Sequence, residues 1–188
     1  MKSQNSKIKI QKMSAGREYL NSVIKRMKYY KSLGDKTLAQ LNETDLHYSP
    51  NAEANSIAII IQHMAGNMLS RWTEFLTGDG EKEWRTRDAE FEEQHLTKEQ
   101  LLEQWEKGWN CCLDVLNSLT EEDLLKTIYI RKEGLIAIDA INRQFAHYPY
   151  HVGQIIQIAK SIKSDKWLSL SIAKGQSEDY NRQMHAKS

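Results

Sequence analysis

A chain of 188 residues, 40% hydrophobic and 27% charged, has the make-up of one folded globular domain with a core of its own. Lys and Arg number 26 against 25 Asp and Glu, a net charge of +1, so no electrostatic footprint for nucleic acid is present. The longest apolar run, Ile57 to Ile61, is far too short to cross a bilayer, and two prolines and nine glycines favour a mostly helical chain.

Met1 to Lys12 is basic, alternates Ile with Lys and Gln, and lacks the apolar centre of a signal peptide. Met13 also makes a plausible start, and residues 1–13 are expected to form a poorly ordered extension. The first long helix is expected from Ser14, as N-cap, to about Leu41. Leu20, Val23, Ile24, Met27, Tyr30, Leu38 and Leu41 recur mostly at three- and four-residue steps. Asn42 to Asp45 and Ser49-Pro50-Asn51 read as loop.

The second helix spans about Ser56 to Leu76. Ile57, Ile61, Met64, Met68, Trp72 and Phe75 share one arc and form its core face. His63, Asn67, Ser70 and Glu74 collect on the other side. Because Ile59 and Ile60 flank His63, that end is apolar nearly all round, and a buried polar stripe there needs partners. His63 is either a satisfied histidine or a ligand.

Glu81 to Leu96 is charged and has no clean period. A connection this long makes the second and third helices parallel neighbours joined by a crossover. Arg85, Arg87, Asp88, Glu90 and Glu92 read as solvated, with Trp84 and Phe91 pinning the segment. The third helix begins at Thr97 and runs to about Leu119, with a stripe of Leu101, Leu102, Trp105, Trp109, Cys112, Leu113 and Leu116. The adjacent Cys111 and Cys112 are packing residues and imply no disulfide framework, hence a reducing, cytoplasmic setting.

Thr127–Ile130 and Leu135–Ile138 suggest a small hairpin around Arg131-Lys132-Glu133-Gly134. The fourth helix then carries Ile141 to Ile162, with Tyr148, Val152, Ile155 and Ala159 in its buried arc. His147 and His151, four residues apart, leave one side of that helix at the margin of the arc, with Gln144 nearby. That spacing suits two imidazoles on one metal ion, and a structural role for both is the alternative. Pro149 between them either kinks this helix or begins a new one. Gly153 is expected to let another helix approach. A catalytic site of the zinc type wants a third protein ligand, and His63 is the other histidine deep in a helix. The tail after Lys163 is expected to be irregular, held by Trp167, and loose over residues 182–188.

His63-Met64-Ala65-Gly66-Asn67-Met68-Leu69-Ser70-Arg71-Trp72, together with His147-x-x-x-His151-x-Gly153-Gln154-Ile155, resembles the DinB/YfiT-like superfamily. Arg87-Asp88-x-Glu90-Phe91 and Gly175-Gln176-Ser177-Glu178 look like one bacterial subfamily of it, and the resemblance covers residues 14–181 as a single domain. It implies an all-α four-helix bundle, up-up-down-down, with a long crossover between the second and third helices. It also implies a divalent metal, zinc or nickel, on His63, His147 and His151, and a homodimer. Characterised relatives include transferases that use a low-molecular-weight thiol such as bacillithiol. Asn67, Gln144 and Arg87 are then the candidates for binding a small-molecule substrate, with Arg85 beside Arg87. The competing readings are a metal-dependent hydrolase, for which Glu74 is the one base to test, and a bundle that binds a ligand or partner without catalysis. Pro149 is a departure that the general motif does not require.

Overall fold

A computed structural model describes residues 14–186. The expected extension over 1–13 and the last two residues of the expected loose tail lie outside the described residues. Among the described residues the chain forms six α-helices and one two-stranded antiparallel sheet. No described helix is long and apolar enough to cross a membrane.

Helix α1 (Ala15–Leu38) starts where Ser14 caps it, its hydroxyl accepting from the Arg17 amide at 3.1 Å. The expected loop after it contains a short helix, α2 (Glu43–His47). Asn42 and Asp45 exchange side-chain bonds with each other's amides there, a capping box in a stretch read as a turn. Helix α3 (Ile57–Trp72) stops at Thr73, earlier than expected, and Glu74 beyond it has a left-handed backbone, φ 54. Helix α4 (Lys98–Ser118) opens on a capping box of Thr97 and Gln100.

Strands β1 (Thr127–Ile130) and β2 (Glu133–Ile136) pair with Thr127 opposite Ile136. The turn is Arg131-Lys132, both at positive φ, the twist that two-residue hairpins need. Asp79 supports this turn by accepting the amides of Arg131 and Lys132 at 2.8 and 2.7 Å. The second strand therefore ends before Ala137, where helix α5 (Ala137–Lys163) begins. Pro149 lies inside α5, which remains one helix across it, so no new helix starts there. Helix α6 (Ser177–His185) replaces the irregular tail that was expected. All its residues are exposed, so it carries no apolar stripe from which it could be read.

The four long helices share one core. Ile57, Ile61, Met64, Met68 and Trp72 of α3 are all buried in it, as are Phe75, which lies past the end of that helix, and the α5 arc from Ile141 to Ala159. Contacts give the helix directions. Tyr19 of α1 bonds the Ile138 carbonyl and Asn142 near the start of α5, while Lys163 at the end of α5 pairs with Asp45 just after α1. Those two helices are parallel. Asp35 meets Trp105, and Arg17 reaches the Leu119 carbonyl, so α1 and α4 are antiparallel. Ala65 faces Gly108 and Thr73 faces Cys111, so α3 and α4 are parallel, as the long connector requires. Trp72 and Asn67 both meet Tyr148, and Ile60 lies by Ile158, so α3 and α5 are antiparallel.

In chain order these directions read up, down, down, up. The expected up-up-down-down order does not fit them. It needs the first and second long helices parallel and the third and fourth parallel, whereas among consecutive long helices here only α3 and α4 are, joined across residues 73–97.

Candidate metal centre

The α3 face opposite the core stripe is buried down to Ser70 and satisfied. Ser70 Oγ donates to the Gly80 carbonyl at 2.6 Å, and Asn67 Oδ1 accepts from the Tyr148 hydroxyl at 3.1 Å. Tyr148 in turn accepts from Trp72 Nε1 at 2.9 Å. Glu74, the fourth member of that stripe, is on the surface, paired with Lys82 at 3.2 Å. It is not at the site, and the base proposed for hydrolysis is thereby removed.

His63 from α3 meets His147 and His151 from α5. Their ring centroids lie 5.4 Å (His63–His147), 5.0 Å (His63–His151) and 4.6 Å (His147–His151) apart. One ring nitrogen from each lies within 4.8 Å of the others, a group that could hold a metal ion. The tautomers follow from the outer partners. His63 Nδ1 is 3.1 Å from Glu90 Oε2, a carboxylate that can only accept. His151 Nδ1 is 2.7 Å from Gln154 Oε1, and the Gln154 amide nitrogen donates to Tyr150. Both rings therefore carry their proton on Nδ1 and, when neutral, present a lone pair from Nε2. His147 Nε2 faces both of these atoms, at 3.4 and 2.9 Å. One proton on His147 could satisfy one of them; a cation satisfies all three. Imidazoles oriented through the nitrogen away from the ion are the usual arrangement around a divalent metal.

Burial pushes the His147 imidazole down to about 3, with the neighbouring His151, His63, Arg85 and Arg143 adding to the effect. His151 is lowered as well, by burial, against the Gln154 hydrogen bond and with help from His63. Rings kept neutral are ready to ligate. The same shift sets a pH dependence. From pH 6.5 down to about 3, the unfolded chain protonates the His147 ring and the folded chain does not, so stability falls as pH falls through that window. The melting temperature of metal-free protein is expected to drop more between pH 7 and pH 5 than that of His147→Gln. Equal drops would show that burial does not hold this ring neutral.

Glu90 comes from the segment expected to be solvated. It is only 8% exposed, and Arg85 only 9%. Arg85 Nε and Nη2 grip the two Glu90 oxygens at 2.6 and 2.8 Å. Burial raises the Glu90 carboxyl, but the Arg85 hydrogen bonds and then His63 outweigh it, so it stays below the usual carboxylate range. Gly66 makes room for this carboxylate: a Cβ there would lie 2.8 Å from Glu90 Cδ. Phe91 stacks beneath His63 at 4.7 Å, whereas Trp84 is exposed. Glu90 and Gln154 carry no role in the sequence, and Arg85, a candidate for substrate contact there, is bound to Glu90. The one signal for Glu90 was its position within Arg87-Asp88-x-Glu90-Phe91.

A cavity of about 700 Å³ opens beside the histidines, of the size that small-molecule sites have. Asn67, Gln144 and Arg87, the candidates for substrate contact, line it with His63 and His147. Gln144 is buried and its Oε1 has no hydrogen-bond partner among the described residues. Gly153 is not a helix contact: a Cβ there would meet nothing within 4 Å. Cys111 and Cys112 stay outside the site, and burial raises both thiols, which suits packing and not nucleophilic work.

No curated protein and no solved structure matches the chain. A family model described as "Protein of unknown function (DUF1572)" matches residues 14–176, which takes in α1 through α5 and every residue of the histidine cluster. The chain belongs to the DUF1572 family.

Proposed function

We propose that this protein is a metal-dependent enzyme in which His63, His147 and His151 hold a divalent ion, zinc or nickel, and a low-molecular-weight thiol is the nucleophile. The fold is then a four-helix bundle of the DinB/YfiT-like type. The observation that carries the reading is the convergence of three Nε2 atoms whose partner nitrogens, on His63 and His151, are already committed to Glu90 and Gln154. When bound, the ion supplies a Lewis-acid centre that favours a thiolate over a thiol at neutral pH.

The chain's own residues do the rest. Glu90, held by Arg85, fixes the His63 ring, and Gln154 fixes His151. Burial keeps His147 neutral, so no proton has to leave it. Asn67, anchored by Tyr148, and Gln144, with a spare acceptor, orient the substrate from the cavity wall. Arg87 meets it at the exposed side. Hydrolysis is less well served, because it wants a general base. No carboxylate lines the cavity among the described residues, and Glu90 is occupied by Arg85 and His63.

Cobalt-loaded protein titrated with mercaptoethanol is expected to gain a sulfur-to-cobalt absorption in the near ultraviolet, absent in His147→Ala. If cobalt binds and the thiol produces no such band, the thiol reading fails and the metal reading stands.

A further inference from the structure

We infer that the cavity beside the histidines recognises a dianionic head group, a dicarboxylate or a phosphate ester, carried by the small molecule whose reacting end faces the imidazoles. Where that reacting end lies rests on the proposed function; the charge argument rests on the cavity.

Arg71, Arg85, Arg87, Arg131 and Arg143 all line this one cavity, and no Asp or Glu does among the described residues. The whole chain has a net charge of +1, so the cluster is local and not the by-product of a basic protein. The arginines arrive from four separate places in the chain: α3, the 73–97 connector, the hairpin turn and α5.

Three carboxylates stand behind the wall. Glu81 takes Arg71 at 3.1 Å and Arg131 at 3.0 Å. Glu90 takes Arg85 at 2.6 Å, and Asp79 is turned to the amides of Glu81, Arg131 and Lys132. Five guanidinium groups against three carboxylates leave an excess of two positive charges. Holding like charges around a concave, partly desolvated space is unfavourable until an anion enters it, and such a cleft focuses its field on that anion.

The wall also divides by role. Arg71, Arg85 and Arg131 are fixed by their acids. Arg87 lies over the Phe91 ring at 5.2 Å, and its N–H groups pair with no carboxylate among the described residues. Arg143 is exposed, one turn before His147, and pairs with no carboxylate among the described residues. Planar guanidinium forks are the side chains that match carboxylate and phosphate oxygens two at a time. Gln144 Oε1 and Arg85 Nη1, both buried in the same wall without a hydrogen-bond partner among the described residues, add groups whose cost falls when a polar ligand settles against them.

The test is calorimetric titration of metal-free and of metal-loaded protein with malonate, with inorganic phosphate and with neutral malonamide. In the metal-free arm any binding is to the protein and not to an ion. Saturable binding of a dianion is expected there, with malonamide at least tenfold weaker. Arg87→Ala/Arg143→Ala is expected to weaken the dianion tenfold or more, with circular dichroism and metal content unchanged, because both side chains are exposed. Malonate tighter than phosphate identifies the dicarboxylate; the reverse identifies the phosphate ester. Equal binding of dianion and malonamide, or a double variant that binds dianions as the wild type does, overturns the inference. Dianion binding by protein that takes up no metal would keep this inference and remove the metal reading.

Discussion

Protein purified without a histidine tag or added metal is expected to hold about one divalent ion per chain by elemental analysis, and His147→Ala/His151→Ala none. The reason is geometric. With Nδ1 of His63 and His151 committed to Glu90 and Gln154, the lone pairs on their Nε2 atoms meet at His147. Removing two of three donors leaves a single imidazole, which holds a divalent ion weakly. The wild type is also expected to melt higher with metal than without. Ligand at about a thousand times its Kd stabilises by about 4 kcal/mol. For a chain this long, that is a rise of about 8–16 °C. The variant is expected to show no such rise. Absence of metal in both proteins, with no uptake on titration and no thermal shift, would remove every metal-dependent reading and leave ligand or partner binding.

Glu90→Ala is expected to be the most damaging single substitution at the site. It leaves Arg85, a buried guanidinium whose Nε and Nη2 both rest on that carboxylate, with only Glu81 at 4.0 Å from its Nη1. Breaking a buried pair from one side costs about 3–5 kcal/mol, a large part of the roughly 5–15 kcal/mol that a domain has. The softer Glu90→Gln keeps an acceptor for His63 and separates folding from orientation. It is expected to fold and to lower metal affinity about 10–100-fold, the usual loss when a ligand's outer partner is changed. Arg85→Met/Glu90→Met is expected to melt above Glu90→Ala while losing the same affinity, since it removes both charges together. Glu90→Gln protein that binds metal as tightly as the wild type would make Glu90 a structural residue only.

Much of this was legible from residue order. The Ser14 cap, the α3 stripe from Ile57 to Trp72, the Thr97 start and the His147/His151 spacing each concern groups within a turn or two of one another. Helical periodicity and capping are local, so the sequence carries them directly. Helix α6 escaped because it buries nothing, and α2 because five residues are too few to show a period. Parallel packing of α3 and α4 was readable from the length of the connector, but the full order of directions was not, because several orders satisfy one long link.

The sequence by itself determined a mostly helical chain, its core stripes and three histidines in helical segments. The tertiary structure decided which faces meet. It turned Glu90 and Arg85 inward from a connector that reads as solvated, because a carboxylate and a guanidinium can be buried once they are paired and hydrogen-bonded. It sent Glu74 to the surface by ending α3 at Trp72, and it gathered five arginines from distant segments into one wall. Those outcomes depend on contacts between residues far apart in the chain, and a charged side chain gives no local sign of whether a partner is waiting for it.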